Sequence, residues 1–166
     1  MMIFIYFDAS ALVKRYSPEP GAEQVDGIFA LIPKRRMTCA GINVGEVVSI
    51  LVRKHNDGRL NDSDFAIALA EFRREIIEDP DFVYLSIDNT DIEASLKYIQ
   101  QYNLNATDGL ILHSAFELYL MLRASGHELI LITSDRRLIN AAKSLSLPYL
   151  NPEIETLNDI ETLLRE

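Results

Sequence analysis

Apolar positions along this 166-residue chain follow two rhythms that alternate from one end to the other. Ile3–Phe7 and 129–133 are dense runs of branched and aromatic residues, and such runs suit strands buried on both faces of a parallel sheet. Met37–Ala40, the alternating stretch 82–87 and the pair Tyr149-Leu150 read as three more strands. Between them the spacing turns helical. Residues 10–16 predict a short helix that Ser17-Pro18-Glu19-Pro20-Gly21 breaks, and Val25, Ile28, Phe29 and Ile32 mark the next, ended at Pro33. A helix over 43–55 closes at Asn56-Asp57-Gly58, and Asp62 or Ser63 caps a further one with the stripe Phe65, Leu69, Phe72 and Ile76. That stripe reads as core or as a dimer face. Asn89 or Thr90 caps a helix to Tyr102, 106–125 ends at Gly126, and 135–145 and 156–164 complete the set. The alternation predicts an α/β fold: a three-layer sandwich with a twisted, mostly parallel sheet of about five strands flanked by helices. In such sheets chemistry gathers beyond the carboxyl ends of the strands, where strand order reverses.

Length and composition narrow the class. A prior of about 150 residues per domain makes 1–166 a single domain. With 48% hydrophobic and 25% charged residues the chain can bury a core, which excludes a disordered or fibrous protein. Twenty-five Asp and Glu against 16 Lys and Arg leave a net charge of −9, which argues against gripping nucleic acid by bulk charge. A local basic strip, or an acidic pocket that reaches phosphate through cations, stays open. Cys39 is the sole cysteine and reads as a buried strand residue, so no disulfide or CxxC site forms and a reducing, cytoplasmic setting fits. The amino-terminal run lacks a basic leader region, and the apolar run 110–122 is shorter than the roughly 20 residues of a membrane span, so no membrane partner is expected. His55, His113 and His127 lack ligand spacing, and neither GxGxxG nor GxxxxGK[ST] occurs.

Four acids stand where chemistry is expected. Asp8 follows the first strand and Asp135 the strand 129–133, so both face one sheet edge. Glu46 falls near the start of an apolar helix, and Asp108 lies in the first turn of another. Helix-start acids also serve the macrodipole, and Asn43 with Glu46 has capping-box spacing. Asp8 has no such box after it, so a ligand role leads there. Capping accounts for each acid but not for their joint placement around one edge. Carboxylates brought together repel and raise one another's pKa unless cations sit between them. Mg²⁺ or Mn²⁺ fits an oxygen-only ligand set, and such ions activate water and stabilise a leaving oxygen in phosphodiester hydrolysis.

The chain resembles a PIN domain, and more narrowly the VapC-type toxins of toxin–antitoxin systems. The resemblance is carried by Phe7-Asp8-Ala9-Ser10-Ala11-Leu12-Val13-Lys14-Arg15-Tyr16 with Pro18-Glu19-Pro20-Gly21, and by Asn43-Val44-Gly45-Glu46-Val47-Val48. Thr107-Asp108-Gly109-Leu110 and Leu131-Ile132-Thr133-Ser134-Asp135-Arg136 agree in order and spacing. It implies a Mg²⁺- or Mn²⁺-dependent endoribonuclease with Asp8, Glu46, Asp108 and Asp135 as metal ligands and catalytic acids. It also implies supporting hydroxyls at Ser10 and Thr133, a homodimer, an RNA substrate and a cognate antitoxin as inhibitor. The segment from about Asp57 to Thr90 is longer than the family pattern. Lys14, Arg15, Arg136, Arg137 and the loop Lys34-Arg35-Arg36 form either a basic rim for RNA or solvated faces. A phosphatase of the haloacid-dehalogenase type wants an Asp where Ser10 stands, and a response-regulator receiver wants an acidic pair that is absent. The serious alternative is a non-catalytic PIN-like scaffold that binds protein or RNA through a vestigial metal site.

Overall fold

A computed structural model describes residues 1–165. The chain opens with β1 (Ile3–Phe7) and α1 (Ala9–Leu12), which tightens into a 3₁₀ turn at Val13–Arg15. Then come α2 (Ala22–Leu31), a 3₁₀ turn at Lys34–Arg36, β2 (Met37–Ala40) and α3 (Gly41–Asn56). Next, α4 (Asp62–Phe72) runs into a π turn at Arg73–Ile77, followed by β3 (Val83–Leu85), α5 (Asn89–Tyr102) and α6 (Ala106–Ala124). The chain closes with β4 (Glu128–Ile132), α7 (Arg136–Ser144), β5 (Tyr149–Leu150) and α8 (Leu157–Arg165).

The five strands form one sheet in the order β3-β2-β1-β4-β5, and every pairing is parallel. Chain order runs outward from β1 to β3 and then returns to β4 on the other side of β1. Strand order therefore reverses between β1 and β4, whose register runs from Ile3 opposite Glu128 to Phe7 opposite Ile132. Alternate residues of these strands face opposite layers. Ile3, Ile5, Phe7, Ile130 and Ile132 pack with residues of α1, α2, α3, α4 and α8. Tyr6, Leu129 and Leu131 pack instead with α5, α6 and α7. Burial on both faces is why these strands read as continuous apolar runs.

Several boundaries move, each for a physical reason. Asn61 caps α4 rather than Asp62 or Ser63, its side chain accepting from the Asp64 amide at 2.8 Å. Asp88 caps α5, and Asp91 completes the box by accepting from the Asp88 amide at 2.9 Å. β3, one of the sheet's two edge strands, is only three residues long, with Val83 and Tyr84 exposed. In the stripe after Asn61, Phe72 and Ile76 are buried while Phe65 and Leu69 pack partly against the same core, so the stripe is core and not a free dimer face. Cys39 is buried, as expected of a central strand.

Gly109 sets how closely α6 lies on α5. A methyl group there would stand 2.4 Å from Cγ1 of Ile99, a β-branched side chain with little freedom to turn away. Gly109→Ala sets an overpacking cost of about 1–3 kcal/mol against about 1 kcal/mol of improved helix propensity. Urea denaturation is expected to give a net loss of about 1 kcal/mol, and a gain in stability would contradict this close approach.

Candidate active site

β1 ends at Phe7, and the next residue, Asp8, is only 5% exposed. Its carboxylate accepts from the Ala9 amide at 2.7 Å and from the Ser10 amide at 3.4 Å, so Asp8 is the cap of α1 after all. Its second oxygen also accepts from the hydroxyls of Ser10, at 2.6 Å, and Thr133, at 3.0 Å. Burial pushes the Asp8 pKa up, and these four donors pull it back. The two hydroxyls accept in their turn: Ser10 from the Ser134 amide at 3.1 Å, and Thr133 from the Asp135 amide at 3.1 Å. Ser10 and Thr133 thereby lock the end of β1 to the end of β4.

The expected capping box at Asn43 and Glu46 does not form. α3 starts at Gly41, and Asn43 is buried, donating its side-chain amide to the carbonyl of Phe7 at 2.9 Å. That bond pins α3 to the end of β1 and sets Glu46 beside Asp8, leaving the Glu46 carboxylate no capping duty. Asp135 caps α7, its Oδ1 accepting from the amides of Arg137 and Leu138 at 2.8 and 3.0 Å. Asp108 lies in the first turn of α6, where Asn105 donates to its Oδ2 at 2.8 Å.

All four acids line one cavity of about 270 Å³. Ser10 lines it too; Thr133 is fully buried behind it, reaching the site through Asp8. The field in the cavity is strong. Burial and then the charges of Asp8 and Asp108 raise the Glu46 pKa to about 7, with Arg53 opposing. Burial and then Asp135 and Asp8 raise that of Asp108 to about 6, with Arg137 opposing. Among the described residues no three His, Cys, Asp or Glu side chains form a ready-made metal-holding group. The carboxylates stand around the cavity wall rather than closing on one point, as like charges do. Their chemistry still suits Mg²⁺ or Mn²⁺, since such ions keep several waters and take only one or two carboxylates directly.

The basic residues separate. Lys14 is buried and paired with Glu19 at 3.2 Å and Glu153 at 2.6 Å. Arg15 pairs with Asp26 at 2.7 Å and Glu75 at 3.2 Å and stacks over Phe29. Neither lines the acidic cavity. Arg136 and Arg137 are exposed beside Asp135, and Arg137 lies close enough to act on Asp108. The loop Lys34–Arg36 is elsewhere, with Lys34 paired to Asp79 and Arg36 donating to the Ile3 carbonyl at the opposite end of β1. Sequence reasoning missed Asn43 as a strand anchor and Arg53 as a cavity residue. Glu46, Ser49, Ile50 and Arg53 recur at i, i+3, i+4 and i+7 and all line the cavity, so helical spacing alone carried that second signal.

The PIN domain family model matches residues 5–144. The chain belongs to the PIN domain family. No curated protein sequence matches it. Among solved structures, PAE2754 from Pyrobaculum aerophilum is similar at 21% identity and a TM-score of 0.62, covering 99% of this chain and 96% of that one. FitAcB from Neisseria gonorrhoeae matches at 19% identity and 0.60, covering 92% of this PIN chain and 100% of that one. A toxin–antitoxin complex from Klebsiella pneumoniae matches at 21% and 0.53, covering 89% and 97%. At these identities the likeness is one of fold.

The raised carboxyls fix the sign of a pH effect in the metal-free PIN protein. With Glu46 near 7 and Asp108 near 6 in the fold, against about 4 when unfolded, the folded state binds more protons across that interval. Stability is therefore greatest at the acidic end of the window and falls as pH rises through 6 to 7. In EDTA the thermal midpoint is expected to be higher at pH 5.5 than at pH 8, and Glu46→Gln should flatten the difference. Equal wild-type midpoints would count against a repelling carboxylate set.

Proposed function

We propose that this PIN-domain protein is a Mg²⁺- or Mn²⁺-dependent endoribonuclease and the toxin of a type II toxin–antitoxin pair. The observation that carries the reading is the convergence of Asp8, Glu46, Asp108 and Asp135, from four separate segments, on a single cavity. Family membership and the toxin–antitoxin complex among the similar folds support it. The proposal takes those four acids as the residues that hold the cation. When bound, the ion supplies a polarised water and charge stabilisation for phosphodiester cleavage. Ser10 and Thr133 orient Asp8 with both hydroxyl protons, leaving its carboxylate an acceptor only. Glu46, its pKa raised to about 7, is about half protonated near neutral pH and would release that proton to a bound cation, whereas Asp108, raised to about 6, is mostly ionised there. Arg136 and Arg137 serve as the basic rim toward RNA, while Lys14 and Arg15 act through the ion pairs that shape the site's flank. The reading further includes a homodimer, an antitoxin that covers the cavity, and action in the cytoplasm. Among the described residues no helix is long and apolar enough to cross a membrane.

Cleavage of a mixed RNA pool measured in EDTA, Mg²⁺ and Mn²⁺ tests this directly. Activity should require the metal, and Asp8→Asn should lower it about 100-fold or more with the circular dichroism spectrum unchanged. Metal-independent cleavage, or an unaffected mutant, would overturn the mechanism. Thr133→Val removes one orienting hydroxyl and is expected to weaken Mn²⁺ binding about tenfold or more, read by calorimetry without RNA. Wild-type affinity in that variant would deny Thr133 its supporting role.

A further inference from the structure

Beside the acidic cavity lies a second one of about 410 Å³, and the two share Ser10, Ile50, Arg53 and Asp135 as a common wall. The second cavity is rich in cations, yet nearly all are committed. Lys14 is held by Glu19 and Glu153, Lys54 by Glu19 and the Ser17 hydroxyl, and Arg59 by Asp57 at 2.6 Å. Arg53 is different. Among the described residues it makes no ion pair, although it is exposed and lines both cavities. It stands seven residues after Glu46 on the same face of α3, and side chains on a helix lean toward its amino end. The guanidinium thus lines the same cavity as the carboxylates, and its charge opposes the rise in the Glu46 pKa, but among the described residues it bonds to none of them.

An uncommitted guanidinium at the border of a carboxylate cavity has a clear chemical use. Its forked donors match the paired oxygens of a phosphodiester, and arginine favours this geometry over a point charge such as lysine. The acids repel a polyanion, and the lysines next door are already neutralised. A strand that reaches the carboxylates through a cation therefore finds, on crossing the shared wall, one positive charge with free donors. Resting on the ribonuclease reading, we propose that Arg53 is a substrate-binding residue that grips the phosphate next to the one held at the carboxylates. The RNA backbone then runs from the acidic cavity past Ile50 into the adjoining one. The competing role for Arg53 is structural, a charge that merely eases the burial of Glu46.

Fluorescence anisotropy in Mn²⁺ with a 2′-O-methyl oligoribonucleotide, checked on a gel to stay intact over the measurement, separates the two, using wild type, Arg53→Ala and Arg53→Lys over a salt series. Arg53→Ala should raise Kd about tenfold and reduce the salt slope by about 0.7, the share of one phosphate contact on a single strand. Arg53→Lys should recover the slope but only part of the affinity. Mn²⁺ binding without RNA should not weaken in Arg53→Ala. In oligonucleotides carrying one neutral methylphosphonate each, one position that weakens wild-type binding should have no effect in Arg53→Ala. If wild type binds and cleaves RNA while Arg53→Ala binds with the same Kd and slope, this inference fails and the ribonuclease reading stands. If wild type neither binds nor cleaves RNA in Mn²⁺, both fall.

Discussion

A carboxylate stripped of nearly all its water at the end of the central strand is the constraint around which this molecule is arranged. Burying an ion costs several kcal/mol even after relaxation, and hydrogen bonds to a charged acceptor return about 1.5–3 kcal/mol each. Asp8 collects four of them. Three come from the local turn, but the fourth comes from Thr133 and exists only while Phe7 stays in register with Ile132. The same hydroxyls then fix the amides of Ser134 and Asp135, and the carbonyl just before Asp8 fixes Asn43 and with it α3. One hydrogen-bonded chain thus holds three of the four acidic residues in place. The switch point of the sheet is where such a chain can close, because there Asp8 and Thr133, 125 residues apart in sequence, follow neighbouring strands.

Net charge says little about the field any one ligand meets. Most cations near the site are locked into pairs that belong to the architecture: Lys14 joins the turn after α1 to Glu19 and Glu153, and Arg15 joins it to α2 and to the π turn. The π turn matters here. By widening the helix after Phe72 it leaves both Ile76 and Glu75 buried, and Glu75 then accepts from Arg15 and from the Tyr16 hydroxyl at 3.2 Å. The π turn between α4 and β3 therefore braces the stretch that follows Asp8. Among the described residues near the cavity, Arg53 and the exposed pair Arg136 and Arg137 make no ion pair.

Much of this was legible in the chain. Strands buried on both faces have no polar alternation, so the runs at Ile3 and Leu129 stood out, and the acids just beyond them pointed at the sheet edge where the cavity lies. The errors came where two residues compete for one local role. Asn43 and Glu46 have capping-box spacing, but the helix begins two residues earlier, and a buried strand carbonyl claims Asn43 instead. Asp8 lacked capping-box spacing and yet caps α1, because a carboxylate has acceptor sites enough for both amides and hydroxyls. Lys14 and Arg15 read as either a basic rim or solvated faces because ion pairing across 139 and 60 residues leaves no trace in local spacing.

Asp108 is held on other terms than its three counterparts. Its carboxylate bonds to Asn105 within its own helix start, and no hydrogen bond among the described residues joins it to Asp8, Ser10, Thr133 or Asp135. Its place is set by packing: α6 lies on α5 through Gly109 and Ile99 and on the sheet through Ile111, Leu112 and Ala115. Packing resists the repulsion from Asp8 and Asp135 that raises its pKa, so apolar burial on one face of the sheet holds apart, yet within one cavity, charges that hydrogen bonds fix on the other sides. On the proposed metal reading, a cation bound among them would relieve that repulsion without any new fold.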